Sequence, residues 1–501
     1  MDGRKRAWWK YVAEVVVAAI VDSAAMAFIY ALAYCLRTDF TEPVCGWRRV
    51  AFSAVVVVAI QLAALAIAGV YRKNWSRFSL ADGVRMVLAL FATCVVFVIL
   101  RGGLPAISGA RPPYSVSVIN FALVSATLVA VRVLYRGFAE AWRARGTVLG
   151  RECVLETDPR AIEMLHGKCV MVTGAGGSIG GELSRQIYLA GPRKLILLER
   201  SENALYEINR RLRGLGGETE LVPQMTDVCN LERMEAIFSE HRPDIVIHAA
   251  AYKHVPMVEE NPKEGLRNNF LASIDLGRMA KAHGARKFVF ISTDKAVRPK
   301  SVMGITKRLS ELGLLRLNGG PTVFCAVRFG NVLGSSGSAI PLFEEQVREG
   351  RPVTVTHSDM RRYFMTVGEA VSLVLKAAAI AKSGEVFVLD MGEPYRIVDM
   401  AEAVIRKAGY RPYVDIPIIF TGIRPGEKLF EELDVSERSA IRTSLNKIYI
   451  CRENDVPAND MDKAEETARR LAEGAESDDS VRARLAAIAK SLGFDIISDQ
   501  K

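Results

Sequence analysis

Apolar and polar positions are spread unevenly along these 501 residues. Four long apolar stretches, residues 11–36, 50–71, 84–100 and 115–135, follow one another before residue 140. Each is about the length a helix needs to cross a bilayer, the third (VRMVLALFATCVVFVIL) being the shortest. Four in succession argue against buried helices of a soluble core and against one cleaved signal peptide. Residues 137–167 form a mixed, charged connector. From 168 the period changes: KCVMVTG, RKLILLE, DIVIHAA, KFVFIST and TVFCAVRF are short β-branched runs separated by helical stretches. That alternation predicts a parallel sheet with helices on both faces. After about 340 strands become sparse, and 335–460 reads as a smaller lobe. Residues 461–501 carry helical patterns (DKAEETARRLAE, VRARLAAIAKSL). The expected organisation is an all-α membrane region over 1–136, the connector, an α/β domain over 168–460 and a helical tail, with no internal repeat.

Composition sharpens this picture in two places. Half of the residues are hydrophobic, an excess concentrated in the four stretches. The net charge of +10 sits largely beside them. Arg4, Lys5, Arg6 and Lys10 precede the first stretch, Arg72, Lys73, Arg77 and Arg85 follow the second, and Arg136, Arg143 and Arg145 follow the fourth. The loop after the third has Arg101 and Arg111, and that after the first is ambiguous with Arg37, Arg48 and Arg49. The bias predicts a multi-pass protein of the inner (cytoplasmic) membrane with both ends of the span region in the cytoplasm. The same charge suits contact with anionic lipid. No basic patch with interleaved aromatics supports nucleic-acid binding. The eight cysteines, at 35, 45, 94, 153, 169, 229, 325 and 451, include no CxxC pair, and the six histidines lack ligand spacing. Neither a disulfide framework nor a metal site is expected.

VMVTGAGGSIGGEL places Gly174, Gly177 and Gly180 between a predicted strand and a predicted helix. Glycines there permit a tight turn and close approach of the main chain to a pyrophosphate, with the helix amino end facing the anion. The candidate cofactor set is Gly174, Gly177, Ser178, Ile179 and Gly180, joined by four further features. Glu199 ends the next strand, where an acid would bind ribose hydroxyls and disfavour a 2′-phosphate. Arg200 beside it could instead accept that phosphate, so NAD is favoured without NADP being excluded. Asp227 and Val228 follow the third strand, where a carboxylate can bond an adenine amine. Ala249 and Ala250, in HAAAYKHVP, are small enough to let main chain near the cofactor.

ISTDKAVRPKSVMGITK, residues 291–307, looks like the active-site strand and helix of a short-chain dehydrogenase with one residue exchanged. Met303 stands four residues before Lys307, where such enzymes place tyrosine, and a thioether moves no proton. From 168 to about 450 the chain resembles the nucleotide-sugar branch of the extended short-chain dehydrogenase/reductases. Within it, the chain is similar to the membrane-bound UDP-N-acetylglucosamine 4,6-dehydratases, the CapD-like polysaccharide-biosynthesis proteins. The resemblance is carried by TGAGGSIGGEL, HAAAYKHVPMVE, STDKAVRPKSVMGITKR, VRFGNVLGSSGS, RRYFMT and TGIRPGEKLFEEL. Large members of that group carry methionine at the tyrosine position, so Met303 reads as a family feature that shapes the site. The resemblance implies a Rossmann fold with a small substrate lobe, NAD, and a UDP-GlcNAc substrate. It implies that Thr293 bonds the C4 hydroxyl, Asp294 is acid toward the C6 hydroxyl, Lys295 is base at C5 and Lys307 holds the nicotinamide ribose. Neighbouring cations are expected to depress Lys295 so that it can act as a base. On the substrate side Lys253, Asn331, Arg424 and Glu427 are candidates, with either Arg361 or Arg362 pointing inward. Asn269 is expected to order the helix beside the cofactor. Longer relatives hold an additional nucleotide-fold domain where this chain has only 137–167, which puts any assembly role of that domain in doubt. A homo-oligomer is expected. The rivals are a C5-inverting dehydratase, a C4 epimerase, which normally relies on the missing tyrosine, and a non-catalytic membrane scaffold that binds a nucleotide sugar.

Overall fold

The computed structural model describes residues 3–41, 43, 46–72, 75, 79–103, 113–145, 158–335, 337–382, 384–424, 426–432, 440–451 and 457–494. Lys73, Arg77, Arg111, Cys45, Cys153 and residues 146–157 of the connector lie outside them, as do the side chains of Arg4, Lys5, Arg6, Lys10, Arg101, Arg143 and Arg145. The chain divides into two compact units. One comprises residues 1–150, 346–353 and 402–418, and the other 151–345, 354–401 and 419–501.

In the first unit α1 (Gly3–Arg37), α2 (Trp47–Ile67), α3 (Leu80–Gly103) and α4 (Tyr114–Arg145) each contain a segment long and apolar enough to cross a membrane. These segments are Val15–Arg37, Trp47–Ile67, Leu80–Ile99 and Tyr114–Gly137. The helices outrun the apolar stretches because flanking charged residues, such as those of GRKRAWWK, are themselves good helix formers. Polarity is arranged the reverse of a soluble bundle. Phe28, Phe52, Val55, Phe91 and Leu134 face outward, whereas Asp22 and Arg132 are each 1 % exposed. The Arg132 guanidinium donates to both Asp22 oxygens, at 2.6 and 3.2 Å, and the Tyr71 hydroxyl donates to Asp22 Oδ2 at 2.8 Å. An ion pair turned inward beneath an apolar exterior is the arrangement hydrocarbon surroundings impose.

The second unit is built on a nine-stranded sheet among the described residues. Ahead of it lies α5 (Pro159–Leu165). Then come β1 (Cys169–Thr173), α6 (Ser178–Leu189), β2 (Lys194–Glu199), α7 (Glu202–Arg213), β3 (Glu220–Met225), α8 (Leu231–His241) and β4 (Ile245–His248). The chain continues through α9 (Val255–Glu260), α10 (Pro262–Gly265), α11 (Ala272–Ala282), β5 (Lys287–Ile291), α12 (Val302–Leu315), β6 (Val323–Arg328) and β7 (Asn331–Val332). Beyond these are α13 (Ala339–Arg348), β8 (Val353–Val355), β9 (Arg361–Arg362), β10 (Phe364–Met365), α14 (Val367–Ile380), β11 (Val386–Leu389), β12 (Tyr395–Arg396) and α15 (Ile397–Lys407). The last are β13 (Ile418–Phe420), β14 (Ala440–Arg442), β15 (Ile448–Cys451), α16 (Ala458–Glu473) and α17 (Asp478–Ser491).

Strand order is β14-β15-β11-β6-β5-β4-β1-β2-β3. Pairing is parallel from β3 to β11 and antiparallel at β15 and β14. β1 (CVMVT) is buried along its whole length, as the central strand of a doubly covered parallel sheet must be. The chain winds outward from β1 to β3 and then returns to β4 on the other side of β1. The loops after β1 and β4 therefore diverge at the carboxyl edge and open a crevice there. This is the Rossmann architecture expected of the 168–460 region. Buried Met461, Ala464, Ala468, Leu471, Val481, Leu485 and Ala489 bring α16 and α17 onto the sheet's core, so the charged C-terminal stretch is an integral layer.

Candidate active site

Two loops meet at the crevice. Gly174 follows β1 with φ +66°, and a Cβ there would lie 2.9 Å from Ala250 Cα in the loop after β4. At Gly180 a Cβ would lie 2.0 Å from the Gly174 carbonyl oxygen, so the first turn of α6 can close on the loop only with glycine. Gly177 caps α6 with no side chain, which directs the helix amino end and its Ser178, Ile179 and Gly180 main chain at the crevice. The Glu199 carboxylate accepts from Gly176 N at 3.1 Å and Ser201 N at 3.0 Å, holding the loop from the end of β2. Arg200 is committed elsewhere: its guanidinium lies 4.7 Å from the Tyr252 ring centroid, bonds the Tyr252 hydroxyl, and sits 3.7 Å from Asp227 Oδ2. Asp227 accepts from Cys229 N at 2.8 Å, and Val228 is buried behind it. A π-helical turn, Leu266–Leu271, places Asn269 so that its amide bonds both the N–H and the carbonyl of Tyr252, at 2.8 and 2.9 Å. Asn269 thus fixes the loop after β4.

β5 delivers the second cluster. Thr293 caps a short turn, Asp294–Ala296, just past the strand. Asp294 is fully buried, and its Oδ1 accepts from the Thr293 hydroxyl and from Lys295 Nζ, each at 2.9 Å. Asp294 Oδ2 is buried with no hydrogen-bond partner among the described residues. Lys295 Nζ also lies 3.4 Å from Asn331 Oδ1 and 3.8 Å from Glu431 Oε1. Asn331, expected on the substrate side, is placed by β7 against the lysine. The expectation for Lys295 itself is corrected. Burial pulls its ammonium down, but Asp294, bonded to it at 2.9 Å, outweighs that and holds it above the usual lysine range. A lysine that burial does depress strongly is Lys307, to about 7. Its Nζ donates to the Ile291 carbonyl at 2.6 Å and stands 3.9 Å from the Phe290 ring centroid. Met303, on the first turn of α12, is buried in the core and is packed as a gap-filler.

The inward arginine is Arg362. It is buried, and its guanidinium donates to the carbonyls of Arg361, Lys428 and Leu429 at 2.8, 2.7 and 3.1 Å. Arg361 faces out. Arg362 therefore anchors the segment bearing Glu427 and Glu431, which lie 3.5 and 3.9 Å from it. Arg424 is exposed, and Lys253 is exposed in the loop after β4. Lys428, overlooked by the sequence reading, donates to the Val297 carbonyl at 2.9 Å. Glu431 was missed as well. It is one of two adjacent glutamates in LFEEL, and no periodicity distinguishes it from Glu432, which pairs with Arg298 at 2.9 Å.

The family model described as "Polysaccharide biosynthesis protein" matches residues 170–453, and the chain belongs to that family. It is 52% identical over 307 residues to the capsular polysaccharide biosynthesis protein CapD of Staphylococcus aureus, covering 60% of this chain and 51% of that one. It is 47% identical over 288 residues to the probable polysaccharide biosynthesis protein EpsC of Bacillus subtilis, covering 57% and 48%. The chain thus spans about half the length of these two curated relatives. With the uncharacterized membrane protein MJ1061 of Methanocaldococcus jannaschii it shares 41% identity over 304 residues, 89% of that protein. Among solved structures, Pen from Bacillus thuringiensis is 31% identical with a TM-score of 0.53, covering 58% of this chain and 90% of that one.

Proposed function

We propose that this protein is a membrane-anchored, NAD-dependent 4,6-dehydratase that converts UDP-GlcNAc to a UDP-4-keto-6-deoxy sugar for surface-glycan synthesis. The observation that carries the reading is the Asp294–Lys295 pair, hydrogen-bonded at 2.9 Å at the carboxyl end of β5, beside a buried methionine where an epimerase would use tyrosine. Elimination across C5 and C6 needs a base at C5 and an acid at the C6 hydroxyl a few ångströms apart, whereas epimerisation needs proton transfer only at the C4 hydroxyl.

The crevice suits a dinucleotide. Gly174 and Gly180 let the loop and the first turn of α6 close where any Cβ would strike main chain, and the amino end of α6 would receive the pyrophosphate. Glu199 lies where ribose hydroxyls would bond, and the pairing of Arg200 with Asp227 and Tyr252 leaves it poorly placed for a 2′-phosphate, which favours NAD. Bound NAD would supply a hydride acceptor for C4 and a donor for C6, and Asp294 would help remove the C4 hydroxyl proton. Ala249 and Ala250 would line its approach, and Lys307 would hold the nicotinamide ribose. Thr293 would orient the C4 hydroxyl once its own proton is shared with Asp294. Lys295 would take the C5 proton, which the adjacent C4 ketone acidifies, and Asp294 would protonate the departing C6 hydroxyl. Arg424 and Glu427 would contact the UDP moiety, with Arg362 holding their segment in place, and Lys253 would reach the sugar or a phosphate from the loop after β4.

The test is incubation of the full chain in detergent with NAD and UDP-GlcNAc in deuterated water, followed by NMR and mass spectrometry. The expected product is a 4-keto-6-deoxy sugar carrying deuterium at C5, whose configuration there distinguishes retention from inversion. A C4 epimer without water loss would replace this reading by epimerisation. An unchanged sugar, with NAD and UDP-GlcNAc both bound, would replace it by a scaffold role.

A further inference from the structure

Lys295 has two carboxyl neighbours, and they are not equivalent. Asp294 bonds it at 2.9 Å, whereas Glu431 stands at 3.8 Å, outside hydrogen-bond range. Glu431 is also 3.9 Å from Arg362 Nε. Its side chain is 3 % exposed, and its Oε2 is buried with no hydrogen-bond partner among the described residues. A buried anion would draw two flanking cations into contact, because an unpaired carboxylate away from water is among the costliest groups to bury. Glu431 has drawn in neither.

We infer that Glu431 is held as a neutral carboxylic acid beside Lys295, so that Lys295 faces one anion, Asp294, instead of two. This rests on the dehydratase reading above. The other charged groups around Glu431 agree with it. Arg362 spends Nη1 and Nη2 on carbonyls while its Nε stays 3.9 Å from Glu431, and Lys428 Nζ bonds the Val297 carbonyl. Glu432 turns away to Arg298, and Glu427 lies on the far side of Arg362. Burial pushes Glu431 above the usual carboxyl range, against the pull of Lys295.

The consequence is chemical. With one anionic partner, a single proton moving along the 2.9 Å bond converts Lys295 ammonium and Asp294 carboxylate into an amine and a carboxylic acid. The amine then takes the C5 proton, and the C5 electron pair forms the C5–C6 double bond. The C6–O bond breaks, and its oxygen leaves as water with the Asp294 proton. An ionised Glu431 would hold the ammonium with a second anion and oppose the first transfer. Glu431 thus acts through Lys295 as a positioning residue, and its ionisation switches the pair off.

The experiment follows C5 deuterium incorporation and product formation against pH for wild type, Glu431→Gln and Glu431→Asp. Wild-type kcat is expected to fall as pH rises and Glu431 ionises. In E431Q, whose amide stays neutral, the ratio of kcat two pH units above the plateau to that on it should rise about tenfold. E431D should restore the fall, and KM should change less than kcat in all three. An alkaline limb in E431Q that coincides with wild type overturns the inference while leaving the dehydratase reading intact. A second readout needs no turnover. Infrared pH titration of the wild type and D294N should show a protonated carboxyl band at neutral pH in both, lost in E431Q. Its absence from wild type overturns the inference. Its presence in a protein that dehydrates no nucleotide sugar upholds the neutral acid and overturns the dehydratase reading instead.

Discussion

At the scale of single residues, the chemistry depends on how one proton is shared between Asp294 and Lys295. Asp294 Oδ1 is committed to Thr293 and Lys295, while Oδ2 is buried and unpartnered, the state expected of an atom that waits for substrate. D294N keeps the shape and removes the transferable proton. It should lower kcat by about 10²–10⁴-fold with NAD and UDP-sugar affinity little changed, measured by single-turnover kinetics and calorimetric titration. Lys307 provides a separate, thermodynamic test. Its native pKa of about 7 lies below the ordinary 10.5. Between those values the unfolded chain therefore carries a proton that the native state lacks. Stability should then rise with pH across this window, by up to about 1.4 kcal/mol per unit from this residue, with the full penalty present below it. Unfolding midpoints in detergent at several pH values should show that slope reduced in K307M; an unchanged slope would mean that Lys307 remains charged in the native state. The Thr293–Asp294–Lys295 row was legible in the sequence because it follows a strongly β-branched strand at a sheet's carboxyl edge. Glu431 was not, because its role comes from a tertiary approach to Lys295 that no local pattern encodes. The direction of the Lys295 shift failed for the same reason: the sequence shows the cations near it in the chain but not that the buried Asp294 carboxylate bonds its ammonium at 2.9 Å.

At the scale of elements, hydropathy locates helices without revealing which polar residue meets which. The four apolar runs marked α1 to α4, and the glycine spacing marked the turn into α6. Neither could show that Asp22 of α1 reaches Arg132 of α4, since each interrupts its own apolar run without a sequence partner. The structure joins them at 2.6 Å, adds the Tyr71 hydroxyl, and sets the guanidinium 4.5 Å from the Trp75 ring centroid. Removing one member leaves the other as an uncompensated buried charge, at a cost of about 3–5 kcal/mol. D22N and R132M should each lower the detergent melting temperature of the helical unit, whereas the D22N/R132M double variant should recover part of the loss. Additive losses would show that the pair contributes no coupling between α1 and α4.

At the scale of the molecule, a dehydratase supplied with a soluble nucleotide sugar needs its catalytic unit on the side where that sugar is made. The charge distribution argues for the cytoplasm. Arg72, Lys73 and Arg77 follow the second span, with Arg85 in the first turns of the third, and Arg143 and Arg145 follow the fourth, with Arg136 at its end, against Arg101 and Arg111 after the third. With four candidate spans, the bias predicts that both ends of the span region lie on the cytoplasmic side. The full chain expressed in bacterial cells should stay with the membrane after alkaline washing, since four spans hold far more strongly than surface attachment. A C-terminal tag should resist protease added outside intact spheroplasts and be cleaved after lysis. Reversing the bias, with R72E, K73E, R77E and R85E together and two lysines added beside Arg101 and Arg111, should expose the tag in a measurable fraction of molecules. Tag protection unchanged by that reversal would mean that these loop charges do not set the orientation, which would then have to be fixed by the folded residues that follow the fourth span.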